Sequence, residues 1–168
     1  MREVSIVGTA MLPVRKAYEE KMRFLGAQVT REAMADAGVD KVDALFAGNM
    51  LSDELQSQKH IAAFIADEAG LHGIEALQVR AATATGAAAL RMAYLAVASG
   101  EADLAVAVGA EQMSMGLPTP ALAKALDADT EVAAGATLIS KNADLMRLYM
   151  QQYKICLLYT SPSPRDIG

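Results

Sequence analysis

Few residues in this chain have the chemistry for catalysis or metal binding. Its 168 residues include one cysteine, Cys156, and two histidines, His60 and His72. A single cysteine excludes an internal disulfide framework and any multi-cysteine metal site. Two histidines need carboxylate help to build a metal site. His60, beside Ile61 and Phe64, reads as a surface or boundary residue of a helix, and His72 reads as a loop residue with no evident partner. Asp127, Asp129 and Glu131 form an acidic stretch. They lack the glycine and the bidentate glutamate of a calcium loop and read as a solvated face. The sharper signal is the turn Ala82–Gly86, which places Thr83 and Thr85 between a strand-like run and an alanine-rich helix. Such a turn aims a helix N-terminus and its N–H groups at whatever lies in front. By residue type alone, either threonine suits the role of helix cap.

That turn needs a scaffold, and the hydrophobic pattern supplies one. Glu3–Val7 alternates and ends at Gly8, which predicts a strand. Met22, Leu25, Val29 and Ala33 recur at helical spacing, with Gly38 as the stop. Ala44–Ala47 is a short buried run closed by Gly48-Asn49, and Asp53 with Gln56 looks like a helix start. Ile61, Phe64, Ile65 and Ala69 share a helical face that Gly70 ends. Leu77–Ala82 and Leu104–Val108 read as further strands. Between them, a helix starting near Gly86 uses Leu90, Ala93, Tyr94 and Val97 and ends at Ser99-Gly100. Its many alanines permit close packing and predict a helix buried at the centre. Met22, Met34 and Met92 suit core or boundary positions. Strands alternating with helices indicate an α/β fold, a sheet covered by helices. Met115–Thr137 is irregular, and Leu138–Tyr153 resumes helical spacing.

Composition narrows the function classes. The net charge is −5 and no basic run occurs, which argues against a general nucleic-acid binder. Aromatics are 5% and tryptophan is absent, too little for base-stacking platforms. No apolar stretch approaches the roughly 18 residues that span a membrane. Met1–Val4 lacks the apolar core of a secretion signal, so a cytoplasmic location is expected.

The C-terminal run from Cys156 to Gly168 differs from the rest: it has two prolines and no helical period. Cys156 through Asp166 matches, codon by codon, the translation of a transposase sequencing adapter. This run is therefore set aside from fold reasoning. Two expectations follow: Cys156 is not a native cysteine, and the natural chain continues past Lys154.

Three stretches together resemble the thiolase family: Ala81–Leu90 (Ala-Ala-Thr-Ala-Thr-Gly-Ala-Ala-Ala-Leu), Ala98-Ser99-Gly100, and Val108–Ser114 (Val-Gly-Ala-Glu-Gln-Met-Ser). The likeness is strongest to bacterial and archaeal acetyl-CoA acetyltransferases of the sterol-carrier type. Val4–Thr9, Gly48-Asn49-Met50 and Leu145–Met150 also fit. The resemblance implies two βαβαβαββ halves stacked as α-β-α-β-α layers. This chain would be the N-terminal half: residues 1–114 as the α/β core, 115–155 as the start of the loop region that covers coenzyme A, and 156–168 as the adapter-derived tail.

It also implies a nucleophilic cysteine at the N-terminus of the central helix, with a second cysteine and a histidine supplied by the other half. Where the family has Ala-Cys-Ala-Ser-Gly, this chain has Ala82-Thr83-Ala84-Thr85-Gly86, so Thr83 occupies the nucleophile position. A threonine hydroxyl needs a strong adjacent base, and a β-branched residue suits the elbow poorly if its φ is positive. Glu111 reads as a structural carboxylate bonded to the loop that carries the active site. The implied activity is acyl-CoA acyl transfer: thioester exchange at residue 83, then Claisen condensation or its reverse. The substrate is a coenzyme A thioester, with no resident cofactor or metal. Loss of the cysteine leaves two alternatives, a CoA-ester retro-aldol lyase with a small partner protein and a non-catalytic thiolase-like subunit. A homo-oligomer is expected, with no nucleic-acid or membrane partner.

Overall fold

The computed structural model describes residues Arg2–Ile155. Cys156 and the adapter-like run lie outside the described residues. The chain forms two compact units, divided between Pro118 and Thr119.

The first unit is built on three parallel strands, β1 (Ala44–Gly48), β2 (Glu75–Val79) and β3 (Ala105–Gly109), in the order β2-β1-β3. Strand β1 is central and buried along its whole length. Its successive side chains point to opposite faces. Leu45 and Ala47 join Met22, Ile61 and Ile65 in one cluster, while Ala44 and Phe46 join Ala89, Ala93 and Ala96 in the other. Helices α1 (Met22–Ala37) and α3 (Ile61–Glu68) supply the first cluster, and α4 (Thr85–Ser99) supplies the second. The fold is therefore a three-layer α/β/α arrangement. A four-residue helix, α2 (Ser52–Leu55), lies in the connection after β1. Helix α1 ends on Gly38, and the methionines Met22 and Met34 are core residues, as their spacing predicts.

Three expectations are corrected. Glu3–Val7 is not a strand among the described residues. This segment is held at its ends by helices. The Arg2 N–H donates to the Ala98 carbonyl at 3.0 Å, and the Thr9 N–H donates to Asp36 Oδ2 at 2.9 Å. Gly8 lies so close to α1 that a Cβ there would be 2.4 Å from the Ala33 carbonyl oxygen. Between this segment and the free edge of β3 is a cavity of about 1090 Å³, walled by Leu25 and Val29 of α1, Leu90 and Tyr94 of α4, and Val106 of β3. This cavity lies between the segment and β3, and the segment joins no ladder.

The second correction concerns α4. It starts at Thr85 and packs on the sheet, but through Ala89, Ala93 and Ala96. Leu90 and Tyr94 of the predicted face line the cavity instead and remain 50% and 46% exposed. Small side chains thus set the close contact, and the large ones on the adjacent stripe find no cover. The third correction is a boundary: β2 ends at Val79, so Arg80–Ala82 belong to the turn.

In the second unit, α5 (Pro118–Ala123) is followed by a π-helical turn at Ala128–Val132 and by α6 (Leu138–Tyr153). Thr137 and Ser140 close a capping box at the start of α6. Leu145, Met146 and Tyr149 of α6 are exposed. Among the described residues no helix is long and apolar enough to cross a membrane.

Candidate active site at the carboxyl ends of the strands

All three strands point the same way, so the loops leaving β1, β2 and β3 gather along one edge, where α/β sheets commonly bind ligands. The hub of this edge is Asn49, directly after β1, with a relative exposure of 1%. Its Nδ2 donates to the Ala110 carbonyl at 2.8 Å and to Glu111 Oε1 at 3.0 Å. Its Oδ1 accepts from the Ser52 N–H at 3.1 Å and from Gln78 Nε2 at 3.2 Å. A buried amide left without partners costs about 1–3 kcal/mol, and here every donor and acceptor direction is used.

Glu111 follows β3. Its Oε2 accepts from the Met50 N–H at 2.9 Å and the Leu51 N–H at 3.2 Å. The carboxylate thus holds the loop after β1; no bond joins it directly to the turn that carries Thr83. On the other side of that loop, Asp53 of α2 receives both guanidinium nitrogens of Arg80, at 3.0 and 3.1 Å. The Arg80 guanidinium holds the Asp53 carboxyl below the usual carboxylate range, first through these hydrogen bonds and then by charge. Asp53 with Gln56 does not make a helix cap: α2 has no side-chain cap, and Gln56 Nε2 donates to the Gln112 carbonyl at 2.8 Å.

Arg80 begins the Thr83 turn. Thr85 stands at the first position of α4, not in front of it, and ties the turn internally. Its hydroxyl accepts from the Ala81 N–H at 2.9 Å and donates to the Ala82 carbonyl at 2.6 Å. The N-cap residue is Ala84, without a side-chain bond, so neither threonine caps the helix. The left-handed residue of the turn is Ala82, with φ 47°, and Thr83 keeps a negative φ. β-branching therefore creates no backbone strain at residue 83. Thr83 is exposed at the entrance to α4, and no described side chain hydrogen-bonds to its hydroxyl. The first turn of α4 also sits tightly on β1: a Cβ on Gly48 would lie 3.1 Å from the Thr85 carbonyl oxygen. This geometry presents residue 83 to solvent against the positive end of a 15-residue helix. A thiol in that place would be drawn toward its thiolate.

The remaining candidates fall elsewhere. His60 is the exposed residue just before α3, with φ 56°, and is not part of the helix. His72 has a partner that the sequence did not suggest: its Nδ1 lies 3.6 Å from Asp67 Oδ1, on the surface. Asp127 turns its carboxylate onto the backbone of its own turn, accepting from the Asp129 and Thr130 N–H groups, and Glu131 pairs with Lys141 at 3.0 Å. Sequence reasoning missed the Asp53–Arg80 pair and the roles of Asn49, Gln78 and Gln112. A polar residue closing a fully apolar strand was the one available sign, at Asn49.

The sheet, the turn and the loop set define an α/β domain with an exposed threonine, Thr83, just before a helix N-terminus. Residues 4–151 match the thiolase N-terminal domain, and the chain belongs to the thiolase family. It is similar to an acetyl-CoA acetyltransferase of Methanothermobacter thermautotrophicus, 37% identical over 156 residues, which cover 91% of this chain and 41% of that protein. A second acetyl-CoA acetyltransferase, from Methanocaldococcus jannaschii, is 36% identical over 160 residues, covering 94% of this chain and 41% of that protein. The chain thus spans about two-fifths of the length of the curated relatives it matches.

Proposed function

We propose that the protein is an acyl-CoA acyltransferase of the thiolase type, with residue 83 at the acyl-accepting position. The observation that carries this reading is the placement of Thr83: solvent-facing, on a turn fixed by Thr85, at the N-terminus of the central helix α4. In the full reaction the residue-83 side chain attacks the thioester carbonyl of an acyl-CoA, a bond forms between that side chain and the acyl group, the acyl C–S bond breaks, and coenzyme A leaves as the thiol carrying the side-chain proton. Claisen condensation, or its reverse, follows with groups that residues 1–155 do not supply. Residues 1–114 act as the core and 115–155 as the beginning of a region that covers coenzyme A. The substrate is an acyl-CoA and no resident cofactor or metal is invoked. We place the protein in the cytoplasm, as a homo-oligomer.

As it stands, the chain should not accumulate an acyl-enzyme. Its hydroxyl lacks a hydrogen-bonded base, and threonine requires one. The same observation favours a second reading, in which the site cleaves CoA esters by retro-aldol chemistry beside a small partner protein, or binds them as a non-catalytic subunit. Incubation with acetyl-CoA and, in parallel, with a β-hydroxyacyl-CoA, followed by mass analysis of the protein and of the thioesters, separates these outcomes. Covalent acylation with release of free coenzyme A supports transfer, conversion of the β-hydroxyacyl-CoA into a shorter acyl-CoA and a carbonyl compound without a protein adduct supports the lyase, and saturable binding without either supports the subunit.

A further inference from the structure

The loop Asn49–Gln56 touches both neighbouring loops of the sheet edge. On the β3 side it is fastened by Glu111, through the Met50 and Leu51 N–H groups, and by the Gln112 carbonyl, through Gln56. On the β2 side the Asn49 N–H donates to the Val79 carbonyl at 3.2 Å, and Asp53 holds Arg80 in a two-bond pair. Arg80 is three residues before Thr83. The Thr85 hydroxyl fixes the far end of the same turn. The turn is therefore clamped at both ends, and one of the two clamps comes from a different loop.

We infer that Asn49–Gln56 is the positioning element of the residue-83 turn, with Asp53 acting through Arg80 and Glu111 anchoring the loop behind it. This rests on residue 83 being the acyl-transfer position. Asp53 and Glu111 are positioning residues: neither bonds to Thr83, and each acts through backbone or through Arg80. A planar guanidinium held by two parallel bonds fixes direction as well as distance, which a lone surface contact does not.

The test uses the whole chain with Thr83→Cys and Cys156→Ser, so that a single thiol reports on the turn. The rate of alkylation by iodoacetamide is measured against pH. The thiol should titrate below the ordinary value of about 8.5, because of the helix N-terminus. Adding Asp53→Asn should slow alkylation near pH 7 by about tenfold, as the turn loses its alignment with the helix and the thiol pKa rises by about one unit. Asp53→Glu should restore part of the rate. A purely electrostatic role gives the opposite sign, because removing a carboxylate and freeing Arg80 favours the thiolate and speeds the reaction. Glu111→Gln, which keeps the side-chain shape, should also slow the reaction.

Acceleration in Asp53→Asn overturns the inference. So does a lowered melting temperature with an unchanged rate in both variants. Acylation plays no part in this readout. A negative acetyl-CoA experiment therefore bears on the proposed function and leaves the clamp to be judged by its own rates.

Discussion

Two borders of the same sheet are finished very differently. Along the carboxyl ends of the strands, Asn49, Gln78, Arg80 and Glu111 bind one another's loops through short polar contacts. Along the free edge of β3, the neighbouring chain segment is apolar and outside the sheet, with Ile6 73% and Val7 60% exposed. The difference separates what holds the site from what merely lies near it. The first border supports residue 83 with polar contacts among residues 49–112 and is tied to the start of α1 by Gln112 Nε2, which donates to the Glu20 carbonyl at 2.8 Å. The second leaves an apolar cavity between Val4–Val7 and the sheet.

If the polar border organises this unit, its hub should be the most sensitive point. Asn49→Ala should lower stability by about 3 kcal/mol, because it strands several buried partners at once. The urea midpoint of the whole chain measures this. Glu111→Gln should cost about 1–2 kcal/mol, since an amide keeps one acceptor and loses the charge that strengthens bonds to the Met50 and Leu51 N–H groups. The same denaturation series ranks the two.

Asp53→Asn should cost less, about 0.5–1 kcal/mol at neutral pH, because the pair with Arg80 is partly solvated. Here the pH dependence has a definite sign. The Asp53 carboxyl is held below its usual range in the folded chain. Its contribution is fully present above the unfolded value, near pH 4, and is lost as pH falls through the lower folded value. Melting curves of the parent and the Asp53→Asn variant should therefore differ at pH 7 and converge under acid conditions. At the other border, Ile6→Ser should change stability by no more than about 0.5 kcal/mol. A cost as large as that of Asn49→Ala would erase the contrast between the two borders.

The same contrast decides how much could be read from the sequence. The periodic segments were legible: α1 from Met22, the buried run of β1, α3 from Ile61 and α6 from Leu138 all lie where their apolar spacing puts them. Helix α4 was legible in place but not in orientation, because a run of alanines does not distinguish the face that meets the sheet from the next stripe. Glu3–Val7 has the alternation of a strand, but a strand exists only with a partner, and that partner is a property of the fold. Residue 83 was found through a resemblance, and its local geometry was not: the positive φ falls on Ala82. The Asp53–Arg80 pair joins residues 27 apart in sequence, so Asp53 could be read locally only as a helix-start residue.

The central claim is that residue 83 is the acyl-accepting position, and the most direct measurement is the intact mass of the full-length protein after treatment with acetyl-CoA. The Thr83→Cys variant should gain one acetyl group that peptide mapping assigns to residue 83, and the Thr83 parent should gain none there. No adduct on the variant, or an adduct on it that maps to any other residue, would contradict this account.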